Sequence, residues 1–150
     1  MRVRCKLRSP VNGIVDLRYY IGAMPGDERK LVTVVFADVA GSTELATRHD
    51  AEALRALLSA FFQEMRQRIE AFDGTVEKYA GDAIMAVFGV PRVHEDDVER
   101  VIRAAVAMQE SLAQLNPVFE QEYGVRLELR VCIATGDRAS WLPERVRQHS

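Results

Sequence analysis

The sequence is short of the residues that mark several function classes. It has two cysteines, Cys5 and Cys132, in 150 residues. Two thiols cannot build a four-thiolate zinc site, and their number does not suggest a disulfide scaffold. The expectation is two free thiols in a reducing cytoplasm, with Cys132 as inert packing. The three histidines, His49, His94 and His149, have no metal-ligand spacing and read as surface residues. No run approaches the ~20 apolar residues of a membrane span. The basic start, Met1 to Arg8, is not followed by an apolar run of about 7–15 residues, which argues against a signal peptide. A cytoplasmic protein without membrane contact is therefore expected. No Gly-Lys-Ser/Thr of a Walker loop occurs. No internal repeat or low-complexity tract is apparent.

What is present suits one globular domain. Hydrophobic residues make up 48% and charged residues 28%, near the globular average. A chain of this length buries about 70% of its unfolded surface. The net charge of −2 hides an uneven distribution. Residues 1–25 carry +4, residues 26–137 carry −8 and residues 138–150 carry +2. An acidic middle whose strands lack an aromatic and basic set argues against a nucleic-acid partner. Basic residues are 17 arginines and three lysines, Lys6, Lys30 and Lys78. Such a skew fits a GC-rich gene, and a lysine inside the acidic middle therefore draws notice.

The hydrophobic pattern predicts an α+β fold. Lys30 to Ala37 is short, β-branched and almost continuously apolar, as a buried strand is. Leu54, Leu57, Leu58, Phe61, Phe62, Met65, Ile69 and Phe72 recur at helical steps, and Asp73-Gly74 ends that helix. Thr75 to Tyr79 and Ala83 to Phe88 flank Ala80-Gly81-Asp82 and read as a β-hairpin. A second helix opens after Glu95-Asp96-Asp97. Its expected buried stripe is Val98, Val101, Ile102, Ala105, Met108, Leu112 and Leu115, and its expected stop is Asn116-Pro117. Val125 to Ile133 alternates as a half-buried strand. The order is the ferredoxin-like βαββαβ arrangement, an antiparallel sheet with helices on one face. A second subunit is the simplest cover for the other face.

Two carboxylates stand where strands end. Asp38 closes the first strand and Asp82 sits in the hairpin turn, on neighbouring strands. Close carboxylates repel unless something neutralises them. A pair of Mg²⁺ ions does so, since hard cations favour carboxylate and phosphate oxygens. Val39, Ala40, Gly41, Ser42 and Thr43 lead into a helix whose first amides would face an anion. The pattern describes a triphosphate seat over two metals.

Glu28 to Thr43 and Gly74 to Gly89, continued by Pro91 and His94-Glu95-Asp96-Asp97, resemble the class III adenylate/guanylate cyclase catalytic domain, in its bacterial adenylate cyclase subgroup. The resemblance runs from about residue 26 to about 137. It implies that Asp38 and Asp82 bind two Mg²⁺ or Mn²⁺ ions, and that Lys78, in a Lys-x-x-Gly-Asp pattern, reads adenine. It also implies that Phe36 to Thr43, with Val39, Ala40, Gly41, Ser42 and Thr43 at its core, face the phosphates. The implied reaction is attack of the ATP ribose 3′-OH on the α-phosphorus, giving cyclic AMP and pyrophosphate. The implied assembly is a homodimer, or a heterodimer with an intact cyclase domain.

In that family the partner subunit's half of the site includes a base-reading aspartate and an Asn-x-x-x-Arg pair. This chain has two asparagines, Asn12 and Asn116, with Asp16 and Glu120 four residues on. The resemblance fades at Val131 to Asp137, and Arg138 to Ser150 shows no period. The expectation is a partial, C-terminally truncated or frameshifted catalytic domain over 26–137. A basic flank (1–25), with Met24 as an alternative start, and a patternless tail (138–150) would surround it. The other reading is a catalytically inactive fragment that binds nucleotide and metal or dimerises.

Overall fold

The computed structural model describes residues 31–90 and 92–137. The expected basic flank and tail lie outside the described residues. Four strands and three helices follow in the order β1 (Leu31–Ala40), α1 (Ser42–Arg48), α2 (Ala51–Ala71), β2 (Thr75–Ala80), β3 (Ala83–Phe88), α3 (Asp97–Tyr123) and β4 (Glu128–Asp137). The sheet order is β2-β3-β1-β4, and every pairing is antiparallel. This is the expected α+β βαββαβ topology with one short extra helix, α1.

Strand alternation sorts β1 into two faces. Val35, Ala37 and Val39 join Ile84, Ala86 and Phe88 of β3 on the helix side. There they meet Leu57, Phe61, Met65 and Ile69 of α2 and Val101, Ala104, Met108 and Leu112 of α3. Val32, Val34 and Phe36 point the other way, with Ala83, Met85 and Val87. These six are also buried, between 0 and 7% exposed. Burial on both faces explains why β1 reads as a continuous apolar run. The six form a second cluster on that face. None of the three helices contributes to its cluster.

Local chemistry sets the element ends. Asp50 caps α2 by accepting from the Ala53 amide at 2.7 Å. Gly74 follows α2 because a β-carbon there would lie 2.5 Å from the Phe88 ring. Asp97 Oδ2 accepts from the His94 amide at 2.8 Å, which folds the chain into α3.

Several expectations shift. α3 does not stop at Asn116-Pro117 but runs through Pro117 to Tyr123, ending at Gly124 with φ 65°. A proline inside a helix costs about 3 kcal/mol. The added turn buries Phe119 to 2% exposure, worth about 1.5–3 kcal/mol. Asn116 also bonds both backbone groups of Leu127. Within α3, Val98 and Ile102 are about half exposed, and Ala104 takes the core position instead. The stripe thus runs at steps of three and four from Val101, not from Val98. β4 begins three residues later than expected and extends to Asp137, because its register with β1 continues to Leu31. Cys132 is disulfide-bonded, not free, with its partner outside the described residues. No described helix is long and apolar enough to cross a membrane.

Candidate functional site

The candidate residues gather where β1 leaves the sheet beside the β2–β3 turn. Asp38 is not the last residue of its strand. It lies inside β1, opposite Ala83 of β3 on one side and Arg130 of β4 on the other. The next residue, Val39, donates its amide to the Asp82 carbonyl at 3.3 Å. That bond ties the hairpin turn to β1 just beyond Asp38. Gly81, at φ 61°, makes the turn with a backbone that L side chains rarely adopt. The backbones of Asp38 and Asp82 therefore lie on adjoining segments.

The two carboxylates differ in their partners. Asp38 is 4% exposed and Asp82 is 8% exposed. Arg130 Nε donates to Asp38 Oδ1 and Arg130 Nη2 to Asp38 Oδ2, both at 2.9 Å. This is a bidentate fork, the strongest geometry for an arginine–carboxylate pair. The carboxylate of Asp82 has no ion-pair or hydrogen-bond partner among the described residues. A buried, unpaired carboxylate is costly, and it attracts a cation.

The phosphate-facing segment is less of a loop than expected. Val39 and Ala40 belong to β1, and Ser42 and Thr43 open α1. The change of direction falls on Gly41, in the left-handed region at φ 75°. Its carbonyl accepts from the amides of Glu44 at 3.1 Å and Leu45 at 3.3 Å.

Lys78 is not brought beside the carboxylates. It pairs with Met85, which pairs with Phe36. β3 therefore separates it from β1, a lateral distance of about 10 Å. A register shift falls between Val76 and Lys78.

A groove of about 680 Å³ lies elsewhere, on the helix side of the hairpin. Leu54, Leu58 and Phe62 of α2 line it with Tyr79 and Gly81. The Phe62 and Tyr79 rings are 5.0 Å apart. Neither aspartate lines this apolar groove, so it is not the seat of the carboxylate chemistry.

Arg130 is the residue that sequence reasoning missed. The alternation of the run Val125 to Ile133 puts Arg126, Glu128 and Arg130 opposite the apolar row, where each looks like a solvated side chain. Only the β1–β4 register assigns Arg130 to Asp38, and one-residue slips in register reverse such assignments.

Comparison with known proteins agrees with this fold. The adenylate and guanylate cyclase catalytic domain model matches residues 24–143. The crystal structure of the adenylyl cyclase CyaB from P. aeruginosa is 33% identical, with a TM-score of 0.70 over 73% of this chain and 58% of that one. The guanylyl cyclase Cya2 is 28% identical, with a TM-score of 0.72 over 75% of this chain and 57% of that one. A cytidylate cyclase of Staphylococcus aureus is 29% identical over 125 residues, 82% of this chain and 30% of its own length. The chain spans still less, 19%, of an uncharacterized Mycobacterium tuberculosis protein that is 33% identical over 100 residues, 67% of this chain. The sheet order and the family match over most of the chain lead to one assignment: this chain belongs to the adenylate and guanylate cyclase catalytic domain family.

Proposed function

We propose that this chain carries the metal-binding half of a class III nucleotide cyclase centre, converting ATP to cyclic AMP and pyrophosphate. The observation that carries the reading is Asp82, buried at 8% exposure without a partner among the described residues, on a turn whose backbone is tied to β1 next to Asp38. Hard carboxylate oxygens suit Mg²⁺ or Mn²⁺. No group of three or more metal-ligating side chains occurs among the described residues. Two carboxylates alone make a weak cage, and substrate phosphates and water would complete it, as is usual for Mg²⁺. The residues present fit two such ions.

When bound, the ions would lower the pKa of the ribose 3′-hydroxyl and offset phosphate charge. Asp38 and Asp82 would hold them against the α-phosphorus, from the rigid strand β1 and the turn tied to it. Gly41 lets the backbone approach the phosphates closely, and the Val39 to Thr43 segment would face them, with the Val39 amide itself held by the Asp82 carbonyl. The O3′–phosphorus bond forms in line as the bond to pyrophosphate breaks.

Lys78 would read the base and favour ATP, in a bacterial cyclic-nucleotide signalling role. Adenylyl, guanylyl and cytidylate cyclases all resemble this chain, so the base preference rests on that lysine. A second cyclase domain, from a homodimer or an intact heterologous partner, would supply the transition-state arginine. Losing one preorganised donor costs about 10²–10³ in rate, so this chain alone is expected to produce no cyclic AMP.

Mn²⁺-dependent binding of a fluorescent ATP analogue tests the reading. Asp82→Ala should weaken binding at least about tenfold, since it removes a charged metal ligand. Lys78→Ala should erase the preference for ATP over GTP. Binding indifferent to Asp82→Ala would contradict the assignment.

A further inference from the structure

The two carboxylates of the site are held in different states, and the difference is a property of this chain's own residues. Asp82 is buried and has no partner among the described residues. Asp38 is equally buried, but both its oxygens are taken by Arg130 at 2.9 Å. We propose that Arg130 is a built-in counter-ion that closes the Asp38 cation seat, and that a divalent ion enters there only by displacing the guanidinium. This rests on the metal-binding reading of Asp38 and Asp82 given above.

Three observations support it. First, the pair is in strand register, Asp38 opposite Arg130, so the contact is set by the sheet and not by a flexible loop. Second, the two side chains differ in freedom. The Asp38 side chain is 6% exposed and that of Arg130 is 50% exposed. The aspartate cannot leave, whereas the arginine can swing into water, where its charge is well solvated. Third, a guanidinium and a divalent cation on one buried carboxylate repel each other strongly, because screening there is weak. The arginine must therefore move when an ion arrives. Asp82 has no such competitor, so the first ion is expected at Asp82 and the second at Asp38.

Arg130 is on this account a positioning residue for cation loading. Its signature is an affinity that improves when it is removed. The opposite is expected of a residue that helps to hold the site together.

The test is Mn²⁺ binding to the nucleotide-free chain, followed by electron paramagnetic resonance of the free ion. Wild type is compared with Arg130→Gln, Arg130→Lys, Asp38→Asn and the Arg130→Gln/Asp38→Asn double variant. Arg126→Gln serves as a charge control, since Arg126 pairs with Glu120 away from the site. A hydrogen bond to a charged group is typically worth enough to shift an equilibrium by about ten- to a hundredfold. Arg130→Gln should therefore tighten the weaker Mn²⁺ equilibrium by at least about tenfold. Arg130→Lys, which keeps the charge and loses the fork, should show a smaller gain and carries the test where the Gln variant does not fold. The gain should vanish in the double variant, and Arg126→Gln should change little. If Arg130→Gln leaves binding unchanged or weakens it while Asp38→Asn still weakens it, the metal seat stands and the counter-ion proposal is overturned. If Mn²⁺ binding ignores Asp38→Asn altogether, the metal-binding reading of that residue falls, and the proposal with it.

Discussion

Arg130 of β4 grips Asp38 of β1 across the strand boundary, with two parallel hydrogen bonds of 2.9 Å. The pair joins the strand that carries the candidate chemistry to the strand with which it makes its longest register. On the counter-ion proposal it would serve both folding and cation loading, and the two roles pull in opposite directions. Holding Asp38 with an arginine would steady the metal-free sheet. Loading a cation would give that contact up.

Removing Arg130 should therefore destabilise the metal-free chain. Arg130→Met leaves Asp38 buried without a cation, at a cost of about 1–3 kcal/mol. The arginine is half exposed, which keeps the figure below that of a fully buried pair. Urea unfolding in a chelator should show the loss. Arg130→Met/Asp38→Leu should recover much of it, because an apolar pair of similar volume replaces the ion pair.

Asp82 predicts the reverse. It is buried without a partner among the described residues, so neutralising it relieves a desolvation cost. Asp82→Asn should raise the stability of the metal-free chain by about 1 kcal/mol, a few degrees in melting temperature. The same change should abolish the stabilisation that Mn²⁺ confers on wild type. A stabilising substitution that removes function is the expected trade-off at a working site.

How far the sequence discloses this molecule depends on range. Lys30 to Ala37 is legible as a buried strand because burial on both faces leaves the run almost continuously apolar. The hairpin is legible because Gly81-Asp82 punctuates two apolar runs. The helical register of α3 is not, because Val98 and Ile102 are as apolar as Val101 and only tertiary packing chooses among them. The helix also outruns Pro117 because Phe119 and Asn116 find partners that lie elsewhere in the chain. Asp38 and Asp82 stand out by local pattern. Their difference in pairing does not, since Arg130 is 92 residues from Asp38 and reaches it only through register.

Asn116 should matter more than a mid-helix asparagine usually does. Its Nδ2 donates to the Leu127 carbonyl at 3.0 Å, and its Oδ1 accepts from the Leu127 amide at 2.9 Å. Both bonds are buried and hold the start of β4 against α3. Asn116→Ala strands two backbone groups and should cost about 2–4 kcal/mol. Thermal unfolding would show it, with no matching loss for the exposed Gln114→Ala.

Acid should loosen the α2–α3 packing at Glu64. The Ser111 hydroxyl donates to Glu64 Oε1 at 2.8 Å, and Arg68 donates at 2.8 Å. The Ser111 hydrogen bond first, and Arg68 after it, hold the Glu64 carboxyl below its ordinary value, against burial. A lowered carboxyl stabilises the fold above its ordinary value, and the contribution disappears as pH falls through the lowered one. Glu64→Gln should therefore show a shallower loss of stability below about pH 5 than wild type does, in urea midpoints taken across that range.

Complementation tests the proposed function most directly. The chain is mixed with an intact cyclase domain whose own two metal-binding aspartates have been changed to alanine, and cyclic AMP formed from ATP and Mn²⁺ is measured. Neither component alone should give product. The mixture should, because Asp38 and Asp82 of this chain supply what the partner lacks, and Asp38→Ala in this chain should abolish the signal. No product from the mixture, or product that survives Asp38→Ala, would contradict the account.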